Sequence, residues 1–165
     1  MHLREQISYD APIADVFAML CTQKFRDQVC EEMRALRYEV TITAVAETAT
    51  IRVSRVLPAE VPDLVKKFVG DEIEIVSTEI WSAPDAAGAR SAQLLIEIPG
   101  KPAQMRGSIR LDQLGSATLE TVEGEIKVSV PFIGGRIEGE IATAIRAAVG
   151  LEEAVGTSWL AGGAP

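Results

Sequence analysis

Most side-chain catalysis at neutral pH leans on a histidine, and this chain has one, His2, at the start of its first segment. A single imidazole placed there cannot serve a nucleophile–base–carboxylate triad or a histidine-built metal site in the interior. The thiols Cys21 and Cys30 are nine residues apart. That is about two and a half helical turns, so on one helix they lie on opposite faces and cannot pair. They are expected to be buried free thiols with no base beside them. No phosphate-cradling Walker loop or dinucleotide fingerprint occurs. Gly134-Gly135 lacks the Lys-Ser/Thr that completes a phosphate loop, and its reading is close packing of a helix start against a sheet. No catalytic residue, no metal ligand and no cofactor is therefore assigned.

What remains is a set of polar side chains on aliphatic strand faces. Arg55 shares its face with Ile51 and Val53, and Ser77 and Glu79 share theirs with Ile73 and Ile75, with Trp81 next in the alternation. On neighbouring strands Arg55 meets Glu79 or a ligand anion; at an open rim it instead snorkels to water, because an unpaired buried charge is costly. Tyr38 and Trp81 are amphipathic rings that either offer a ligand a hydrogen bond or plug the end of a barrel. Met105 is either adaptable pocket wall or ordinary core.

The elements that must hold these residues follow from periodicity. Leu3–Tyr9 alternates at period two and reads as a strand, after which Asp10 is an expected N-cap and Pro12 a first-turn residue. Ile13, Val16, Phe17 and Leu20 recur at helical spacing, and a second short helix is expected after Thr22, carrying Phe25, Val29 and Met33. Strands are expected from Leu36, with Tyr38, Val40, Ile42 and Ala44 on one face, and again after the turn at Ala46-Glu47-Thr48. A short helix over Val61–Val69, including Leu64, is closed by Gly70. Four more strands place Ile75, Leu94, Ile96, Ile109, Ile126 and Val128 on inner faces. The final helix, expected from Pro131, carries the stripe Ile133, Ile137, Ile141, Ala144, Ile145, Ala148, Leu151 and Val155, with Glu140, Glu152 and other charges mostly off it.

This order describes an α+β chain: a curved seven-stranded antiparallel sheet, two short helices after the first strand, and a long C-terminal helix set into the concave side. One domain over residues 1–160 and a flexible tail over 161–165 are expected. The formal charge of −8 and the absence of any Lys/Arg run argue against nucleic acid as a partner. No apolar stretch approaches the roughly 20 residues of a membrane span, and His2–Gln6 lacks the apolar core of a signal peptide, so a cytoplasmic location is expected. Aromatic residues make up only 5% of the chain, so its interior lining is aliphatic.

The strand leading into Tyr9-Asp10-Ala11-Pro12-Ile13-Ala14-Asp15-Val16-Phe17, together with Val130-Pro131-Phe132-Ile133-Gly134-Gly135-Arg136-Ile137-Glu138, resembles the START and polyketide-cyclase-like superfamily, also called SRPBCC, helix-grip or birch-pollen-allergen-like. With Val61-Pro62-Asp63-Leu64 and Thr78-Glu79-Ile80-Trp81, the chain resembles a largely actinobacterial branch to which no function is assigned. The resemblance covers nearly the whole chain and implies a helix-grip fold with an apolar cavity between last helix and sheet. Members of that superfamily bind lipids, sterols, polyketides or plant hormones, some catalyse cyclisation or ring cleavage, and some act as cochaperones. A fold does not carry one function with it.

The expected partner is a small hydrophobic or amphipathic ligand. Its wall would be Tyr38, Val53, Arg55, Ile75, Ser77, Glu79 and Trp81 on the earlier strands. Leu94, Ile96, Met105, Ile109, Ile126 and Val128 would follow on the later ones, with Ile137, Ile141 and Ile145 on the helix. Two alternatives stand beside it. One is a cyclase- or hydrolase-type enzyme using Arg55, Glu79 or Tyr38 as polarising or acid–base groups. The other is a protein-interaction domain using the acidic outer strand faces or the Val61–Phe68 segment.

Overall fold

Period-two alternation dominates the chain, and in the computed structural model it yields seven strands among the described residues, 1–163. Ala164–Pro165, the end of the expected tail, and the side chain of Leu64 lie outside the described residues. The strands are β1 (His2–Tyr9), β2 (Arg37–Val45), β3 (Thr48–Pro58), β4 (Glu72–Trp81), β5 (Arg90–Glu97), β6 (Ala103–Leu114) and β7 (Ala117–Val128). They form one antiparallel sheet in the order β1-β7-β6-β5-β4-β3-β2. Each of the connections from β2 onward joins sheet neighbours, as short antiparallel links do. The exception is β1 to β2, which are the two edges.

That gap is bridged by α1 (Ile13–Leu20) and α2 (Gln23–Glu32), which run across the concave side from one edge to the other. Their apolar faces bury Val16, Met19, Leu20, Phe25 and Val29. Pro12, not Asp10, stands at the N-cap of α1, whose Ile13 amide hydrogen is taken by the side chain of Gln113. Helix α3 (Asp63–Val69) ends at Gly70, whose φ of +92° is the left-handed region that glycine enters without strain.

Sheet curvature has a local cause. Gly107 of β6 faces Gly124 of β7, and a Cβ on Gly107 would collide with the carbonyl of Glu123. Two glycines opposite one another let the strands bend where side chains would keep them flatter.

The long helix α4 (Gly134–Ser158) begins three residues later than expected, because Phe132 takes φ +67° and Pro131-Phe132-Ile133 forms a turn. Gly134 fits the packing expectation: a Cβ there would lie 2.6 Å from the carbonyl oxygen of Val128. Helix α4 packs mainly on β1, β7 and α2, and Arg146 ties it to Glu5 of β1 at 2.8 Å. It continues into a wider turn, Trp159–Gly163, where Trp159 meets Phe25 edge-on at 5.8 Å. None of the described helices is long and apolar enough to cross a membrane.

Candidate functional site

Because α4 leans on the β1–β7 edge, the concave face of the other strands is only partly covered. A cavity of about 190 Å³ is left there, bounded by α2, α3, α4 and the inner faces of β1 and β3–β7. Most of its wall is aliphatic. Val53 comes from β3, Ile75 from β4, Leu94 and Ile96 from β5, Ile109 from β6, and Ile137, Ile141 and Ile145 from α4. Arg55, Ser77 and Glu79 reach the same wall, so strict alternation holds along β3 and β4 with no bulge to reverse it. A shallower hollow of about 570 Å³ lies on the outer face of the sheet over Arg52, Thr78 and Lys127, and its charged side chains are all exposed.

Five expected wall residues stand elsewhere. Tyr38 is on the edge strand β2, where its hydroxyl donates to Glu31 at 3.1 Å on the surface. Trp81 is sealed below the cavity, edge-on to Phe17 at 5.4 Å. Met105 fills the space over Gly124, its Cε 2.7 Å from where a Cβ would be. Ile126 and Val128 on β7 are buried and do not line the cavity.

The floor of the cavity is polar and buried. Arg26 of α2, 5% exposed, donates from Nε to the carbonyl of Leu20 at 2.7 Å and from Nη2 to Glu79 Oε2 at 2.9 Å. It thereby places a cation on the C-terminal carbonyls of α1, where the helix dipole favours one. Trp81 Nε1 donates to the same Glu79 oxygen at 2.8 Å. Glu79 is thus paired with Arg26 rather than Arg55. The register explains this: Glu79 lies opposite Ile51, whereas Arg55 lies opposite Ile75. Four residues of strand separate the two sites, about 13 Å at the strand rise. Arg55 Nε has no hydrogen-bond partner.

Glu120 of β7 and Glu152 of α4 complete the floor. Glu152 approaches Arg26 at 3.7 Å. Glu120 is 2% exposed, and its Oε2 has no partner; neither has the hydroxyl of Tyr9, 1% exposed. Burial, reinforced by the nearby Glu152 and Glu79, holds the Glu120 carboxyl well above the usual carboxylate range. Burial likewise raises the Glu152 carboxyl, with Arg26 opposing and Glu79 adding to it. Tyr9 is pushed up by burial and then by Glu120 and Glu152. For Arg26, burial acts downward and is outweighed by Glu79, Glu152 and Glu120, so its charge is secure.

These groups can hold a proton on Glu120 and offer its unpartnered Oε2 to a guest. They do not form a metal site: among the described residues, no three His, Cys, Asp or Glu side chains are placed to hold an ion. Both thiols are held toward their protonated form. Burial raises both Cys21 and Cys30, which are unpaired, and Arg55 only partly offsets the effect at Cys30.

Periodicity did not single out Arg26 and Glu120, and Glu140 and Glu152, expected among the charges off the stripe of α4, line the cavity instead; Arg26, Glu120 and Glu152 each left a signal. Glu120 is two residues before Val122 and hence on its face. Arg26 precedes Val29 by three and Cys30 by four. Glu152 follows Ala148 by four and Ile145 by seven, which continues the inner stripe of α4.

Solved structures share this architecture. A protein from Thermus thermophilus matches at 17% identity and a TM-score of 0.61, over 94% of this chain and 97% of that one. A STAR-related lipid transfer protein from Xanthomonas axonopodis matches at 14% identity and 0.58, over 93% and 85%. Norcoclaurine synthase from Thalictrum flavum, in complex with dopamine and hydroxybenzaldehyde, matches at 13% and 0.56, over 97% and 86%. Likeness at such identities shows the fold, and the fold is the helix-grip architecture of START-like and birch-pollen-allergen-like proteins. Within that class the chain belongs to the DUF2505 family, described as a protein of unknown function, whose model matches residues 4–160. No curated protein matches the chain.

Proposed function

We propose that the chain binds a small hydrophobic or amphipathic molecule in the cavity between α4 and the sheet. The observation that carries this reading is an aliphatic wall left unfilled: Ile75, Ile96, Ile141 and Ile145 line the cavity and are only partly buried. Burying one such side chain fully is worth about 1.5–3 kcal/mol, so a guest that covers several has a ready driving force. The volume of about 190 Å³ exceeds the roughly 150 Å³ that admits benzene and falls short of the roughly 300–1,000 Å³ of pockets for drug-sized ligands. The enclosed part of a guest is therefore a short chain or a single ring. One neighbour in fold is named for lipid transfer and another was crystallised with two aromatic molecules, which supports the reading.

The test is titration of an environment-sensitive apolar dye into the wild type and Ala148→Phe. Ala148 lines the cavity from α4, and a ring there occupies the space. Saturable binding lost in the variant is expected. Absence of saturable binding, or equal binding by the blocked variant, would overturn the proposal.

A catalytic reading is favoured by one observation, the unpartnered Glu120 carboxyl at the cavity floor. Arg55, Glu79 and Tyr38 are weaker candidates: Glu79 is engaged by Arg26 and Trp81, and Tyr38 lies outside the cavity. With a substrate in hand, Glu120→Gln would lose turnover and keep binding; full turnover would dismiss it.

A further inference from the structure

We infer that the polar end of the bound molecule is a protonated amine, seated at the cavity floor against Glu120 and Glu152. This rests on the ligand-binding reading above and names the chemistry of its guest. The first argument is charge. Among the described residues, four glutamates, Glu79, Glu120, Glu140 and Glu152, line the cavity against two arginines, Arg26 and Arg55, and no lysine or histidine. Arg26 is already engaged by Leu20, Glu79 and Glu152. Arg55 sits four strand residues from the Ile51–Glu79 pair, toward Leu57. Among the described residues, Glu120 makes no ion pair and its Oε2 accepts no hydrogen bond.

The second argument is geometry of supply. Buried polar atoms are nearly always partnered, yet Glu120 Oε2 at this floor, on a side chain only 2% exposed, is not. An alkylammonium has three N–H donors and no acceptor, which the Glu120 and Glu152 oxygens receive once the buried Glu120 carboxyl releases its proton to solvent on binding. A carboxylate or phosphate head would instead face three glutamates across a low-dielectric floor. A hydroxyl head satisfies one oxygen and neutralises none. A bare divalent ion is disfavoured because these carboxylates do not converge on one point.

The experiment is calorimetric titration of the full chain with n-octylamine, n-octanol and n-octanoate at neutral pH. The amine is expected to bind at least about tenfold more tightly than the alcohol, because charge-assisted bonds are roughly twice as strong as neutral ones, and octanoate more weakly than either. Equal affinities, or octanoate ahead, would overturn the amine while leaving a ligand-binding cavity intact. Failure of all three to bind would remove the ligand-binding reading itself. In Glu120→Gln the preference for amine over alcohol, read as the ratio of the two affinities, is expected to vanish. Glu152→Gln, on a partly buried helix position, is the second variant and should narrow the preference. A preference fully retained in both would overturn the assignment.

Discussion

The two ends of the concave face are built from the same alternating strands and end up in opposite states. One end is solid. Tyr9, Phe17, Phe25, Trp81 and Trp159 gather there with α1, α2 and the terminal turn, and these are five of the chain's eight aromatic residues. The other end is hollow: among the described residues, no aromatic side chain lines the cavity. Strand alternation decides which residues point inward, but side-chain volume and helix placement decide whether the space closes. The Arg26–Glu79–Glu120–Glu152 group lies at the boundary. It is roofed by the solid end through Trp81 and Leu20 and open to the hollow end at Glu120.

The largest test of that division contrasts the two arginines. Arg26→Met leaves Glu79 buried with its cation gone, and breaking a buried pair from one side costs about 3–5 kcal/mol. Arg55→Met removes a guanidinium whose Nε has no partner and places an apolar chain on an apolar wall, so stability should change by less than about 1 kcal/mol. Urea denaturation of both variants reads the difference. Similar losses would mean that the boundary is misplaced and that the hollow end is as tightly determined as the solid one.

A smaller contrast uses two glycines of α4. At Gly156, over the solid end, a methyl would press on the Tyr9 ring and come 3.1 Å from Met19 Cε, so Gly156→Ala should cost about 1–3 kcal/mol as overpacking. At Gly150 nothing lies within 4 Å, and Gly150→Ala should gain up to about 1 kcal/mol from helix propensity alone. Thermal melts suffice. A gain at both sites would show that Tyr9 can move aside and that the solid end is looser than its packing implies.

The fold was legible because each strand repeats the same signal and errors in one are corrected by its neighbours. The site was less so. Arg55 and Glu79 stood out as polar residues on apolar faces, but register separates them, and register depends on turns such as the tight Val45–Thr48 link at Ala46, where φ is +52°. Arg26 and Glu152 sit on helices whose apolar stripes look complete without them. Their inward facing is set by how α2 and α4 cross the sheet, which periodicity alone does not encode. Glu120 was the readable one, since its parity with Val122 and Ile126 places it inside. Tyr38, read by the same parity, lies on the edge strand, where an inward face meets solvent instead of a core.

The boundary also predicts a pH dependence. In the folded state the Glu120 carboxyl is held above its ordinary value of 4.5 by burial first and then by Glu152 and Glu79, with Arg26 opposing. The Tyr9 hydroxyl, neutral in this range, also faces the group. Below the ordinary value both folded and unfolded chains are protonated and nothing is at stake. As pH rises, the unfolded chain releases its proton while the folded chain retains it, so the folded state binds more protons and stability falls. Glu152 is raised as well and contributes in the same sense. Glu120→Gln removes one of these two slopes. Its melting temperature should match the wild type near pH 4.5 and exceed it by a few degrees at about pH 8, since 1 kcal/mol shifts a chain of this size by roughly 2–4 °C. Parallel curves across that range would mean that Glu120 ionises in the folded state with a partner of its own, and the boundary would then be an ordinary salt-bridge network with no oxygen left to offer a guest.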